Sequence, residues 1–280
     1  MISCDQWFYQ LFLLFSSPTP RAAPISVALA GLNPYTGGMI GIIGAMEEEV
    51  KLLRQELENP LPVTKGEFTF WTGELAKTPV VLVQCGIGKV NAATACSLLS
   101  EKYSPQVIIN TGSAGGLAPA LTFGDILIAT TLLQHDMNVT AFGYALGQVP
   151  GLPTHFSCDK DLVEAASRCA ELLHDSGELP QTVQTVLGQI GSGDTFVHEP
   201  EYIAQLRANF PEMAAVEMEG AAIAQVCHLF HIPFVVIRAI SDVAGKESPM
   251  TFDEFLPLAS QRSAQLVRQL VKELSHGKNR

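Results

Sequence analysis

The sequence is poor in the features with which proteins bind nucleic acids or membranes. Of its 280 residues, 17 are Lys or Arg and 28 are Asp or Glu, so the formal net charge is −11. Basic residues form no run along the chain, which argues against a nucleic-acid partner and against an anionic membrane surface. The acidity is interpreted as a solubility feature.

Motifs for metal ions and disulfides are also missing. The six cysteines form no C-x-x-C pair and have no histidine at zinc-finger spacing, and the seven histidines form no H-E-x-x-H motif. Several cysteines, such as Cys85 and Cys96, lie in apolar segments. We therefore expect no metal site, and we interpret the cysteines as buried, reduced thiols of a cytoplasmic protein.

Two glycine-rich segments match nucleotide-binding motifs only in part. The segment that begins with Gly86 and Gly88 has Asn91 where a dinucleotide fingerprint requires a third glycine. The segment that ends at Gly116 continues with Leu117, whereas a P-loop requires Lys followed by Ser or Thr. A redox enzyme and a nucleoside triphosphate binder are therefore disfavoured.

Residues 1–38 differ from the rest of the chain. An apolar stretch over 7–15, too short to cross a bilayer, is followed by a part rich in Pro, Ser and Gly. No basic residue precedes the apolar stretch, so a secretory signal is the less favoured alternative. We expect residues 1–38 to be a disordered leader and residues 39–280 to form a single catalytic domain.

From residue 39 onward, short apolar segments alternate with segments of helical periodicity. This alternation predicts an α/β fold with a central sheet that is largely parallel or mixed. A glycine-rich turn is predicted over 111–116, and a loop over 134–156. The predicted strands are 40–43, 68–75, 78–85, 107–110, 125–129, 185–192, 214–219 and 233–240, and the predicted helices are 47–58, 89–102, 162–173, 199–209, a helix ending at 230, and 252–274.

Carboxylates are concentrated where predicted strands end, which is where open α/β sheets bind ligands. The triplet that ends at Glu49 stands in a first helical turn, and stabilisation of the helix dipole explains such a triplet on sequence grounds. The functional alternative makes one of these glutamates a base beside a water. Glu217 and Glu219 flank Met218 in an apolar stretch, so they are either exposed at a helix start or bind a ligand such as the hydroxyls of a ribose.

The most apolar predicted strand ends in Arg238 and Asp242. An ion pair of Arg238 with a neighbouring carboxylate is the simplest structural interpretation. An aspartate that emerges from a buried strand is expected to have a raised pKa, because burial disfavours the charged form. Such a group can hold a proton at neutral pH and deliver it to a substrate.

Seven segments, in order and without large gaps, resemble signature stretches of the 5′-methylthioadenosine/S-adenosylhomocysteine nucleosidase family. This resemblance begins at residue 39 and continues to near the end of the chain. It implies a nucleoside phosphorylase-like fold, a three-layer α/β/α sandwich with a central mixed sheet. The segments are 41–49, 86–90, 109–116, 139–144, 192–194, 215–219 and 238–242.

The resemblance implies a role for each carboxylate. Glu49 matches the base that orients and deprotonates the attacking water, and Asp242 matches the acid that protonates adenine N7. Glu219 matches the residue that binds the ribose hydroxyls, with Met218 packed against the sugar and Glu217 nearby. Cleavage of a ribosyl–adenine bond passes through an oxocarbenium-like state, and these roles meet its needs without a cofactor.

The remaining site residues also follow from the resemblance. Phe196 matches the residue that stacks on adenine, and the backbone of Val197 matches the contact to the purine edge. Phe252 matches the wall around the 5′-alkylthio group. Val139 and Phe142 match residues donated to the pocket of a neighbouring subunit, so a homodimer is implied. Arg238 and Ser241 match supporting groups, and Ala45, Met46, Ile87, Ser113, Ala114 and Gly115 match the pocket lining.

Three other functions were weighed against hydrolysis of adenine nucleosides. A nucleoside phosphorylase has a basic phosphate-binding stretch where residues 44–49 are acidic, and carboxylates repel phosphate. An AMP nucleosidase needs cationic residues that bind a 5′-phosphate, and none is identified near these motifs. A non-catalytic nucleoside-binding protein has no need for both Glu49 and Asp242. The 5′ substituent of the preferred substrate stays open among methylthio, homocysteinyl, deoxy and futalosine-type groups.

Overall fold

The computed structural model describes residues 38–243 and 252–276, and it describes no side chain at 243, 252–254 or 276. All of these residues lie in one contact unit, Asn33–Arg280. The predicted leader, apart from Gly38, falls outside the described residues.

Ten described strands form one mixed sheet. The order is β10-β6-β8-β9-β5-β1-β4-β3-β2, with β7 paired to β6. Because β5 also pairs with β10, the strands β5, β10, β6, β8 and β9 close into a ring from which β1, β4, β3 and β2 extend. The strands are β1 (Ile40–Gly44), β2 (Glu58–Lys65), β3 (Phe68–Leu75), β4 (Thr78–Gln84), β5 (Val107–Gly116), β6 (Ile126–Gln134), β7 (Phe156–Ser157), β8 (Thr185–Ser192), β9 (Met213–Glu217) and β10 (Phe234–Val243).

Two sets of helices flank this sheet. The helices α1 and α3 pack on α6, and α2 packs on α5. This arrangement confirms the predicted α/β class with a central mixed sheet and helical layers. The helices are α1 (Glu47–Gln55), α2 (Lys89–Tyr103), α3 (Lys160–Asp175), α4 (Pro200–Asn209), α5 (Gly220–Phe230) and α6 (Phe252–His276).

The hydrophobic core lies between the sheet and these helices. Every residue of β1 is buried, as expected for a central strand that is covered on both faces. On α6 the side chains of Leu266, Val267, Leu270 and Val271 are fully buried. Their spacing places them on one face of the helix, which packs on β10 and β5.

The structure corrects the prediction for residues 47–65. Helix α1 ends at Gln55 rather than at 58, although Leu57 is buried as predicted. The next residues form β2, which was not predicted. All side chains of β2 are exposed, so no alternation of apolar and polar residues reveals it. Pro60 and Pro62 are compatible with a strand there because β2 pairs only with β3, at the edge of the sheet.

The predicted turn at 111–116 is also wrong, because this segment is the second half of β5. It pairs with β10 throughout and with β9 at its end. Its small residues do not bend the chain. They leave space for charged side chains to lie close to the strand. A Cβ atom on Gly112 would lie 2.3 Å from Nη1 of Arg238 and 2.6 Å from Oε1 of Glu49.

Other expectations hold within the described residues. Residues 134–156 are mainly loop, with one short 3-10 helix at Thr140–Phe142. The five described cysteines are buried and unpaired, as expected from the sequence, while Cys4 lies outside the described residues. Among the described helices, none combines the length and apolarity needed to cross a membrane.

Candidate active site

An open pocket lies where β1, β4, β5, β8, β9 and β10 end or run close together. It brings together all predicted pocket residues except three. The side chain of Phe252 is not described, while Val139 and Phe142 lie outside this lining. The prediction missed Thr195 and Val216, which stand next to predicted residues in the sequence.

Glu49 is anchored in the pocket wall by four hydrogen bonds. Its Oε2 accepts from the backbone N–H of Ala45 at 2.8 Å and of Met46 at 3.1 Å. Its Oε1 accepts from the backbone N–H of Ser113 at 2.9 Å and from the Ser113 hydroxyl at 3.2 Å. Glu49 is 1% exposed, and the four donors stabilise negative charge on a carboxylate that burial would otherwise disfavour.

The other members of the glutamate triplet have a structural role. Glu48 is exposed, and Glu47 forms an ion pair with Arg54 on the surface of α1. The helix-dipole interpretation therefore fits Glu47 and Glu48, while Glu49 alone reaches the pocket.

Arg238 forms the buried ion pair that its sequence position suggested. Its Nη2 donates to Oε2 of Glu217 and, at 2.8 Å, to Oδ1 of Asn110. Nη1 donates to the carbonyl oxygen of Ser113 at 3.3 Å. Burial alone would lower the pKa of Arg238, but the adjacent carboxylates of Glu217 and Glu219 outweigh burial and raise it. The guanidinium therefore stays charged and is neutralised by protein groups.

Glu217 is occupied by protein donors. Besides Arg238, its carboxylate accepts from the Ser192 hydroxyl and from the backbone N–H groups of Glu219 at 3.0 Å and Gly220 at 2.7 Å. A buried carboxylate with these partners holds the junction of β9 and α5 in place. We expect it to support the site rather than to bind substrate directly.

Glu219 has fewer partners than Glu217. Its Oε1 accepts from the backbone N–H of Gly88 at 2.9 Å, and its Oε2 lies 3.6 Å from Nη2 of Arg238. Burial and the nearby charge of Glu217 raise the pKa of Glu219 to about 7. Its side chain is therefore poised between protonation states near neutral pH.

Asp242 lies at the other end of the pocket. It is half-buried, and its Oδ1 accepts from the Ser241 hydroxyl at 2.9 Å. Burial raises the pKa of Asp242 above its ordinary value, although the Ser241 hydroxyl opposes this effect. The side chain lies against Gly115, where a Cβ atom would come 3.0 Å from Oδ2. The raised pKa of Asp242 has the direction and the cause that the sequence predicted.

The two carboxyl groups are separated along β5. Gly112, against which Glu49 lies, is in register with Arg238, and Gly115 is in register with Asp242. Glu49 and Asp242 therefore lie against different positions of β5, an arrangement suited to a base and an acid that act at separate points of a substrate.

An aromatic and an apolar side chain form another part of the pocket lining. Phe196 is 52% exposed and stacks on His198 with ring centroids 5.9 Å apart. Val197 beside it is buried. An exposed aromatic face above a pocket is suited to stacking on a flat heterocycle.

Val139 and Phe142 stand apart from this pocket. Val139 precedes the short helix at Thr140–Phe142 and is half-buried, and Phe142 is the last residue of that helix and is 65% exposed. A large exposed aromatic side chain is a typical interface residue.

The charged lining of the pocket consists of Glu49, Glu217, Glu219, Asp242 and Arg238. Since Arg238 is paired with Glu217, the lining has an excess of carboxyl groups. No group of three or more His, Cys, Asp or Glu suited to a metal ion exists in the described part of the chain. Such a pocket can protonate a leaving group, orient a water and stabilise a cationic sugar.

Comparisons with known proteins agree with this geometry. Residues 39–272 match the family model of the phosphorylase superfamily. A 5′-methylthioadenosine/S-adenosylhomocysteine nucleosidase from Anoxybacillus flavithermus is 50% identical over 236 residues, which are 84% of this chain and 99% of the relative.

Solved structures give the same result. The nucleosidase of Neisseria meningitidis in complex with methylthio-immucillin-A is 47% identical, with a TM-score of 0.79 over 84% of this chain and 99% of that chain. The nucleosidase of Colwellia psychrerythraea in complex with adenine is 46% identical, with a TM-score of 0.81 over 86% and 97%. The chain therefore belongs to the phosphorylase superfamily and, within it, to the family of 5′-methylthioadenosine/S-adenosylhomocysteine nucleosidases.

Proposed function

We propose that the chain hydrolyses the N-glycosidic bond of 5′-methylthioadenosine and S-adenosylhomocysteine, and of 5′-deoxyadenosine as well. The products are adenine and the 5′-substituted ribose, which fits a role in methionine salvage. The observation that carries this proposal is the arrangement of Glu49 and Asp242 at separate points of one pocket, the first held by four donors and the second by one.

Asp242 supplies the proton for the leaving group. Adenine is a poor leaving group as an anion, and protonation at N7 lets it depart as a neutral base. Because burial raises the pKa of Asp242, its carboxyl group holds a proton at a higher pH than an exposed aspartate does. Phe196 and Val197 line the same pocket as Asp242, and we assign them to the base that this acid protonates.

Glu49 acts on the opposite side of the sugar. Its donors fix the carboxylate, and the Ser113 hydroxyl, which makes the longest of the four bonds, can rotate and leave Oε1 to accept from water. The oriented water attacks the anomeric carbon and transfers a proton to Glu49.

Glu219 binds the ribose hydroxyls between these two groups. In its ionised form it also places negative charge near the oxocarbenium-like sugar. Met218 packs against the sugar face. Met46 lies in the lining, and we assign it, with Phe252, to the surroundings of the 5′ substituent.

The lining favours water over phosphate as the nucleophile. Arg238 is the only cationic residue among the described lining, and Glu217 and Asn110 already occupy its Nη2. Phosphate bound beside four carboxyl groups and a neutralised guanidinium would be repelled. A phosphorylase is therefore the less favoured activity.

We further propose a homodimer in which Val139 and Phe142 complete the pocket of the neighbouring subunit. The exposure of Phe142 supports this assembly. Light scattering and activity assays of the parent and of Phe142→Ala test the assembly. We expect a dimeric parent and weaker substrate binding by Phe142→Ala. A monomeric, fully active parent would contradict the proposal.

The five buried thiols fit a reducing compartment and thus the cytoplasmic location predicted from the sequence.

The experiment that tests the function is adenine release from 5′-methylthioadenosine, with and without phosphate. We expect adenine and free methylthioribose at a rate indifferent to phosphate. A rate that depends on phosphate, with a sugar 1-phosphate as product, would make the chain a phosphorylase. No release from any adenine nucleoside would favour a binding protein.

A further inference from the structure

A polar cluster outside the pocket lining joins three segments of the protein: the start of α2, the loop after β6 and the loop after β8. We name it the Lys89 clasp, and it consists of Lys89, Asp136 and Asp194. The Nζ of Lys89 donates to Oδ1 of Asp136 at 2.6 Å, and the backbone N–H of Lys89 donates to Oδ1 of Asp194 at 2.8 Å. The backbone N–H of Asp194 donates to Oδ2 of Asp136 at 3.0 Å, which closes the cluster.

Further hydrogen bonds connect the clasp to neighbouring side chains. Nζ of Lys89 also donates to Oε1 of Gln134 at 3.1 Å, and Nε2 of Gln134 donates to Gln225 on α5 at 2.6 Å. The side chains of Lys89 and Asp136 are only 18% and 25% exposed. The hydrogen bonds from Lys89 and Asp194 lower the pKa of Asp136 although burial opposes this.

Two of the three segments of the clasp lead directly to the pocket. Gly88, next to Lys89, donates its backbone N–H to Oε1 of Glu219 at 2.9 Å. Phe196 stands two residues after Asp194 and lines the pocket. Two successive amides at the start of α2 therefore bind two carboxylates, one inside the pocket and one in the clasp.

We propose that the Lys89 clasp is a positioning device for the active site. It holds the Gly88 N–H against Glu219 and holds Phe196 over the base. The inference rests on the proposed function, because it assigns these residues to ribose and adenine contacts. The clasp touches neither substrate, so its three members are positioning residues and not catalytic ones.

The expected effects differ from those of a stabilising ion pair. A partly exposed pair contributes little to folding stability. Small displacements of groups that orient a substrate, in contrast, reduce rates by up to about 100-fold. Loss of the clasp should therefore reduce activity and adenine binding far more than it reduces thermal stability.

The protonation of Glu219 provides a specific readout. Burial and the charge of Glu217 raise its pKa, while Arg238 and the Gly88 N–H lower it, and Glu49 adds a smaller raising effect. The Cys85 thiol also lies near Glu219. If the Gly88 N–H moves away, the pKa of Glu219 rises, so the acidic limb of the kcat/KM profile moves to higher pH.

The test compares Lys89→Met and Asp136→Asn with Lys89→Arg and with Lys51→Met. Lys51 is an exposed lysine on α1 and serves as the matched control. We expect the first two variants to lose about 10- to 100-fold in kcat/KM, to bind adenine more weakly and to show the shifted acidic limb, with a nearly unchanged Tm. Lys89→Arg should recover part of the loss, and Lys51→Met should match the parent.

Parent-like kinetics, adenine affinity and pH profile in Lys89→Met and Asp136→Asn would overturn the proposal. A uniform loss of Tm with no pH shift would make the clasp a stabilising element only. If Lys89→Met does not fold, Asp136→Asn, which retains a hydrogen-bond acceptor, decides the question. Adenine binding by calorimetry requires no turnover, so failure of the clasp and failure of the proposed hydrolysis remain distinguishable.

Discussion

The middle and the end of β5 bring different carboxyl groups into the same pocket. At Gly112 and Ser113 the strand meets Glu49, which accepts four hydrogen bonds from the protein. At Gly115 it meets Asp242, which accepts one, from Ser241. The two carboxyl groups therefore differ in how firmly protein donors hold them, and for Asp242, with its single donor, burial raises the pKa.

The same contrast recurs at the end of β9. Glu217 is saturated by Ser192, Arg238 and two backbone amides, whereas Glu219 has the Gly88 N–H and a more distant guanidinium. Two glutamates two residues apart thus have different tasks. The first supports the site, and the second can change its charge near neutral pH.

The largest effect should follow from removing the acid or the base. We expect Asp242→Asn and Glu49→Gln each to reduce kcat by about 10²- to 10⁴-fold, the usual contribution of a positioned proton donor or acceptor. Circular dichroism should show an unaltered fold. Parent-like turnover in either variant would remove that residue from the assigned mechanism.

A methyl group at Gly112 should disturb the Glu49 end selectively. It would overlap Arg238 and Glu49, so we expect Gly112→Ala to cost about 1–3 kcal/mol of unfolding free energy and most of the activity. Gly116→Ala is the matched control, because the atom nearest to its added Cβ would be Cγ2 of Ile240 at 3.2 Å. Equal losses of stability and activity in both variants, by urea unfolding and kinetics, would contradict this account of β5.

Replacement of Glu219 should have an intermediate effect. We expect Glu219→Gln to lower kcat/KM by about 10- to 100-fold, because a neutral amide stabilises the cationic sugar less than a carboxylate does. The acidic limb near pH 7 should disappear from the kcat/KM profile of the variant. An unchanged limb would assign it to another group.

Stability should depend on pH through Glu219 in a predictable direction. Its folded-state pKa is about 7 against an ordinary value of 4.5, so between these values the folded state binds more protons than the unfolded state. The contribution of Glu219 to stability therefore falls as the pH rises from about 4.5 to 7. The difference in Tm between Glu219→Gln and the parent is therefore expected to shift in favour of the variant from pH 5 to pH 8. A shift in the opposite direction would contradict the assignment.

The smallest effect should follow from removal of residues 1–38. We propose that residues 39–280 form the catalytic domain, which fits the family match over 39–272. A chain that begins at Met39 should therefore keep kcat/KM within about twofold of the full chain. A loss of tenfold or more would assign the first segment a role in activity.

Much of the fold was predictable because strands such as β1 and β10 contain apolar runs bounded by turn residues. The edge strand β2 was not, since its exposed side chains carry no alternation. The second half of β5 reads as a turn because glycines that admit charged side chains look like glycines that bend the chain.

The candidate site was predictable as a set of residues but not in its division of roles. The motifs identified Glu217 and Glu219 together, and the sequence does not reveal that Ser192 and Arg238 saturate only the first. Such differences depend on contacts between segments far apart in the chain. Thr195 has no chemical signal of its own and was identifiable only as the neighbour of Phe196.

The most direct test of the contrast between Asp242 and Glu49 uses a substrate whose leaving group needs no proton. Cleavage of a 4-nitrophenyl 5-methylthioriboside should proceed in Asp242→Asn at a rate close to the parent's, although that variant no longer releases adenine. Glu49→Gln should cleave neither substrate, because both reactions need the activated water. Equal loss of both reactions in Asp242→Asn, or rapid nitrophenol release by Glu49→Gln, would contradict the division of acid and base between Asp242 and Glu49.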